Sequence, residues 1–241
     1  MIKNFIPKFL FKILKKNYFK KYYALNNLDQ KLEKYLNYND GYFIELGAND
    51  GISQSNTYFY ERKKNWRGML IEPIPHKFLD CIKNRSEKNS IFCNACVGFD
   101  FKKEFVEIVY SNLMSTPIDL KSDIENPEKH AESGKKFLDS KENTFKFAAI
   151  TATLNDLMIK SKAPNIIDFL SLDVEGAEME VLEGINFNKY FFKYMLIESR
   201  SFNEINNFLL LKKYKFIEKL GEHDYLFAYN QIINQKNKIN L

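Results

Sequence analysis

The sequence contains no run approaching the ~18 apolar residues of a membrane span. It has no G-x-G-x-x-G, the fingerprint of a dinucleotide-binding turn. It has only three cysteines, Cys81, Cys93 and Cys96. An odd number in a chain of this size argues against a disulfide framework and points to a reducing compartment, hence the cytoplasm. Cys93-Asn94-Ala95-Cys96 matches C-x-x-C, but no second pair accompanies it to build a zinc site, and it closes an apolar run that reads as a buried strand end. Acids are missing from residues 1–25, which hold seven lysines. The remainder has 29 bases against 31 acids and is nearly neutral. Without a basic docking face outside that arm, the chain does not read as a nucleic-acid binder.

What is present suits one α/β domain with an added arm. The chain has 241 residues, 45% of them hydrophobic and 28% charged, enough apolar material for a sizeable core. In the arm, Ile2, Phe5, Ile6, Phe9, Leu10, Ile13 and Leu14 follow the spacing of one helix face, and lysines fill much of the other. Lys8 and Lys12 interrupt the apolar core that a secretory signal needs. Such a basic amphipathic helix either lies on an anionic membrane surface or packs on the body with a solvated lysine face. The first alternative places the protein peripherally at the inner face of a membrane.

The body, residues 26–232, alternates strand and helix patterns. Strands are expected at 42–46, 68–73, 90–98, 166–176 and 193–199, with helices at 54–64, 75–86, 153–161, 177–185 and 202–213. Thr153 with Asp156 three residues on is close to a capping box. A hairpin around Gly221-Glu222-His223-Asp224 ends the body, and residues 233–241 read as a flexible tail. Residues 99–111 form a hairpin or edge strand, and the polar stretch 112–146 reads as a lid or a disordered insertion. The alternation predicts a Rossmann-like, doubly wound α/β sheet, mostly parallel, with an antiparallel strand from the C-terminal hairpin. Ligands of such sheets sit beyond the carboxyl ends of the strands. Glu45, Glu72, Asp173 and Glu198 all fall there.

The stretch FIELGANDGISQSN carries the most information. Gly47 and Gly51 bracket Ala48-Asn49-Asp50, and Glu72 follows Gly51 at the distance of a ribose-binding acid. Glu45 and Asp50 would repel a pyrophosphate, which prefers a helix terminus free of anions. They suit a cationic ligand carrying an amino group and a sulfonium, which favours S-adenosylmethionine over NAD.

At this point the chain resembles the FkbM-type S-adenosylmethionine-dependent methyltransferases, a class I Rossmann-like family. The matching stretches are IELGANDGISQSNTYFYE, WRGMLIEPIPHKF, NRSEKNSIFCNACVG, TATLNDLM, DFLSLDVEGAEMEVLEGINF and YMLIESR, covering most of residues 42–200. The resemblance implies that Glu45, Gly47, Ala48, Asn49 and Gly51 form the cofactor loop and that Glu72 binds the ribose. It implies that Ala95 and Cys96 flank the adenine, and that Asp173, Glu175 and Glu178 are the family's acidic signature. Family members commonly methylate hydroxyls of sugars or natural products, so the implied partner is a small-molecule or glycan acceptor. The arm and residues 112–146 match poorly, which leaves acceptor specificity open.

Asp173, at a strand end facing the cofactor, is expected to contact it and to be the general base, alternatively a divalent-metal ligand or simply a helix N-cap. His76, beside Glu72, and His223, in the hairpin turn, are weaker candidates for the base. Glu175, Glu178 and Glu198 are expected on the acceptor side. His130 is expected on the surface. Arg85 and Arg200 are expected in solvent, with an acceptor anion as the alternative. Rival readings are an NAD-dependent sugar-modifying enzyme and a membrane-surface binding protein with a degenerate methyltransferase fold.

Overall fold

The computed structural model describes residues 21–140 and 142–232. The amphipathic pattern over the first 20 residues and the tail from 233 lie outside them. Among the described residues eleven strands are formed: β1 (Tyr42–Leu46), β2 (Arg67–Ile71), β3 (Ser90–Phe92), β4 (Ala95–Cys96), β5 (Phe105–Tyr110), β6 (Thr116–Pro117), β7 (Phe145–Ala152), β8 (Ile166–Leu172), β9 (Phe191–Glu198), β10 (Tyr214–Lys219) and β11 (Asp224–Tyr229). Seven make the main sheet, in the order β10-β11-β9-β8-β1-β2-β3. The pairs β3·β2, β2·β1, β1·β8 and β8·β9 are parallel, and β11 runs antiparallel to both β9 and β10. The expected doubly wound sheet with its terminal hairpin is therefore present.

Strand periodicity explains why this sheet is buried on both faces. Successive side chains point to opposite sides. Ile44, Met69, Leu170 and Met195 enter one core, while Phe43, Leu70, Phe169 and Tyr194 enter the other. Helices cover each face, which is the arrangement that near-continuous apolar strands require. Thr153 Oγ1 accepts from Asp156 N at 3.0 Å and opens the helix Leu154–Lys160, as the sequence predicts. Strand order reverses between β1, which continues to β2 and β3, and β8, which continues to β9. The crevice over the β1/β8 boundary is thus the topological switch point.

Two expectations need correction, and the end of the arm takes one of its two expected places. The single strand expected at 90–98 is broken after Phe92, and β4 leaves the main sheet to pair with β7. The stretch 112–146 is built, not structureless. It supplies β6, the helix Pro127–Ser133 and the start of β7, and with β4 and β5 it forms a second sheet ordered β4-β7-β5-β6. Its elements are too short to show periodicity, and they are held by specific side chains. Asp123 Oδ2, for example, accepts from Ser199 Oγ at 2.9 Å and Arg200 N at 2.6 Å. Finally, the end of the arm belongs to the body. Tyr23 N donates to Asp29 Oδ2 at 2.6 Å and its ring packs edge-on against Tyr58.

Candidate active site

A cavity of about 500 Å³ opens at the switch point. Its floor is the carboxyl ends of β1, β2, β4 and β8, and its walls include Leu113, Met114 and Phe137 from the 112–146 insertion. A second open groove of similar size, lined by Phe99, Phe101, Glu180 and Phe208, contains none of the strand-end acids.

The glycine turn is shaped by contact with β8. Gly47 has φ +75°, and a Cβ there would lie 1.9 Å from the Asp173 carbonyl oxygen, so no other residue fits. Ala48 is buried under the turn, its N–H donating to the Ile71 carbonyl at 3.2 Å. Asn49 has φ +45° and donates its backbone N–H to Glu72 Oε2 at 2.7 Å. Ile74 N donates to the other Glu72 oxygen at 2.8 Å. Burial nevertheless dominates and pushes the Glu72 carboxyl up to about 7. Each Glu72 oxygen keeps a lone pair, and the residue lines the cavity beside Asn49, Ala95 and Cys96. Burial also pushes the Cys96 thiol up to about 12, so it is an apolar wall, not a nucleophile.

Glu45 is held from behind. Its carboxylate accepts from Ser55 Oγ, from Asn56 N at 2.9 Å, from Thr57 Oγ1 at 2.6 Å and from Arg85 Nη1 at 3.2 Å. Arg85 is not solvated. Its side chain is 0% exposed, and it also ion-pairs with Glu61 at 2.8 Å and donates to the Gly51 carbonyl at 3.0 Å. The guanidinium fork thereby ties the glycine turn to β1.

At the other end of the cavity the acids are bare. Asp173 follows β8, Glu198 ends β9, and the two carboxyls are electrostatic neighbours. Both are raised above the ordinary carboxylate range, Asp173 by burial and then the Glu198 charge, Glu198 by burial and then the Glu175 charge. Two close buried carboxylates disfavour each other's ionisation. Glu175, Arg200, Glu222 and Asp224 complete this end of the wall. Among the described residues, no group of three or more His, Cys, Asp or Glu is arranged to hold a metal ion.

The profile of the Methyltransferase FkbM domain matches residues 45–227, which span this cavity from Glu45 to β11. The chain belongs to the FkbM methyltransferase family. Among solved structures, methyltransferase FkbM from Methylobacillus flagellatus KT is similar at 14% identity and a TM-score of 0.46, over 79% of this chain and 44% of that one. The chain therefore spans less than half the length of that protein. No curated protein matches the sequence.

Within this FkbM domain, several expected site residues do not reach the cavity. Asp50 folds back on its own turn, accepting from Ile52 N at 2.8 Å and Ser53 N at 2.7 Å, because an Asp side chain caps the backbone two residues on. Gly51, at φ +82°, packs against the Cys81 and Arg85 side chains and does not line the cavity. Glu178 is buried below the wall, its Oε1 accepting from Val174 N at 3.0 Å and Gly176 N at 3.2 Å. Burial pushes it up to about 8. It shapes the loop that carries Glu175. His76 is 46% exposed and bonds Tyr110 Oη at 3.2 Å on the outside. His223 contributes its backbone carbonyl to Ser199 N at 2.9 Å, while its ring faces Glu222.

His130, expected on the surface, instead meets Glu175 Oε2 at 2.7 Å and pins the insertion to the acidic loop. Arg200 lines the cavity, 3.8 Å from the same carboxylate. Asn56, Ser171 and Asn112 line the cavity and were not singled out from the sequence. Only the S-N-T that follows the glycine turn, with its run of small polar side chains, hinted at Asn56.

Proposed function

We propose that this chain is an S-adenosylmethionine-dependent O-methyltransferase acting on a hydroxyl of a sugar, glycoconjugate or natural product. One observation carries the reading. A single cavity connects Glu72, beside the glycine turn, to the bare Asp173–Glu198 pair across the switch point. The residues present suit the cofactor. Glu72 has free lone pairs for ribose hydroxyls, and Ala95 and Cys96 offer an apolar slot for a base. The strand-end acids disfavour a pyrophosphate, which speaks against NAD.

When bound, the cofactor supplies an electrophilic methyl on a sulfonium. The chain's own residues must then align the acceptor and manage its proton. Asp173, beside Glu198 at this end of the cavity, would accept the proton of the acceptor hydroxyl, while Glu72 and the glycine turn would hold the methyl donor. The insertion residues Leu113, Met114 and Phe137 shield the cavity from water. An acceptor that is neutral or cationic suits the acidic wall better than a phosphorylated one.

Incubation with methyl-labelled S-adenosylmethionine and a panel of hydroxyl-bearing glycans tests the reading. Label is expected on a hydroxyl oxygen and should depend on Asp173. Label on an amine nitrogen would overturn the O-methyl assignment. We also propose, from sequence alone, that residues 1–20 of the basic arm contact an anionic membrane surface. Removing residues 1–20 should abolish sedimentation with anionic vesicles and leave transfer in solution intact.

A further inference from the structure

The end of the basic arm is built into the rim of the cavity. The Tyr22 ring packs at a tilt on Phe59, Tyr23 packs edge-on on Tyr58, and Ala24 forms a parallel bridge with Gln54, just past the glycine turn. Leu25 follows, lining the cavity yet 52% exposed. From Gln54 the rim runs back through the turn to Asn49, whose Nδ2 donates to Asn112 Oδ1 at 3.3 Å. Asn112 Nδ2 in turn donates to the Phe137 carbonyl at 2.9 Å. Phe137 lines the cavity, is 37% exposed and has Lys136 Nζ 5.0 Å from its ring centroid. Two large apolar side chains, one beside the arm and one on the insertion, are thus left partly in solvent at the mouth.

Charge says what such a rim meets. Residues 1–20 hold six lysines and no acid. The chain from residue 20 to residue 25 spans at most ~17 Å when fully extended, so a surface that captures those lysines is held beside the mouth. Exposed leucine and phenylalanine among lysines suit the headgroup layer of an anionic bilayer. Glu222, 89% exposed on the cavity wall, opposes such a surface with one charge against six. Leu211, at the end of the helix Phe202–Leu211, is more exposed still at 83%, but it does not line the cavity.

We propose that the cavity mouth seats on an anionic membrane surface through Leu25 and Phe137, and that the acceptor hydroxyl belongs to the head group of an amphiphile whose apolar tail stays in the bilayer. This rests on the transferase reading and on the membrane contact of residues 1–20, and adds the face that docks and the physical form of the acceptor. The cavity of about 500 Å³ must also receive the cofactor, so only a head group enters it. With the bilayer against the mouth, an amphiphile reaches the cavity by diffusing within the membrane.

Sedimentation of the full chain with phosphatidylglycerol vesicles, beside phosphatidylcholine vesicles as a neutral reference, tests the docking face. The intact chain should partition onto the anionic vesicles. Leu25→Glu and Phe137→Glu should each weaken that partitioning by about tenfold, the scale of one large apolar side chain withdrawn from an apolar phase. Leu211→Glu, which makes the same charge change elsewhere, should leave it unaltered. If Leu25→Glu does not fold, Phe137→Glu decides. Partitioning indifferent to the rim substitutions, or weakened equally by Leu211→Glu, would overturn the docking face. No partitioning by the intact chain would overturn the membrane contact of the arm, and the proposal with it. The acceptor class is tested by offering each glycan of the panel both free and lipid-linked in phosphatidylglycerol vesicles. The lipid-linked form should be methylated faster by about tenfold or more, through its higher effective concentration at the mouth, and Phe137→Glu should reduce that advantage. Equal rates on the two forms would overturn the acceptor class, whereas transfer to neither would count against the transferase reading itself.

Discussion

The two ends of the cavity use the same residue types differently. At the β1–β2 end, Glu45 accepts from Ser55, Asn56, Thr57 and Arg85, and Glu72 accepts two backbone N–H groups. At the β8–β9 end, Asp173 and Glu198 have chiefly each other. A strand-end carboxylate saturated by its own chain is framework or a fixed cradle. One left with only a like-charged neighbour is destabilised, and a group held that way is available for proton transfer. The inventory of hydrogen bonds, more than residue identity, separates the two.

The strongest way to break this contrast is to remove the support behind Glu45. Arg85→Ala leaves Glu45 and Glu61 buried without their counter-ion and should cost about 3–5 kcal/mol of stability, read by urea denaturation. A surface-like loss below 1 kcal/mol would make Arg85 an ordinary ion pair. At the opposite end, Asp173→Asn should lower the transfer rate by about 10²–10⁴-fold while cofactor affinity stays nearly unchanged. Single-turnover transfer beside calorimetry separates the two. Weakened binding with an intact rate would move Asp173 from chemistry to the cradle.

Glu72→Gln should weaken the cofactor by about tenfold or more, because a charged acceptor is lost. The pH response sharpens this further. Ribose hydroxyls bind the ionised carboxylate, so affinity should fall as pH drops below about 7, the point to which burial pushes Glu72. That dependence should vanish in Glu72→Gln. The ligand-free protein should show the opposite trend. Glu72 and Glu178 are raised from 4.5 to about 7 and about 8, so the native state binds more protons than the unfolded one across that window. Stability should therefore be greatest near the lower bound and decline as pH rises through 7 to 8. Flat urea midpoints across that range would contradict the buried state of both groups. The smallest effects are expected at His76→Ala and His223→Ala, which should alter the rate by no more than about twofold, as for substitutions outside a site.

Much of this was legible in the residues. The G-x-x-x-G turn, the spacing to Glu72 and the L-D-V-E-G-A-E segment all sit at strand ends, and strand ends are where this topology builds its crevice. What was hidden depends on contacts distant in sequence. Nothing in Arg85 itself reveals that it reaches Glu45, which precedes it by 40 positions. Asp50 and Glu178 look like site acids by type and place, yet each caps a nearby backbone, a choice decided by local loop geometry. The helix Leu28–Leu36 buries Leu28, Leu32 and Leu36 along one face, a pattern too short to stand out from its polar surroundings. The insertion carries cavity walls on short elements with no period to read, and His130 acquires a role only by meeting Glu175.

The most direct test of the central claim is a side-by-side calorimetric titration of the intact chain with S-adenosylmethionine and with NAD, repeated on Glu72→Gln. The account predicts saturable binding of S-adenosylmethionine, weakened in the variant, and none of NAD. Comparable binding of NAD, or no binding of S-adenosylmethionine by the folded protein, would contradict it.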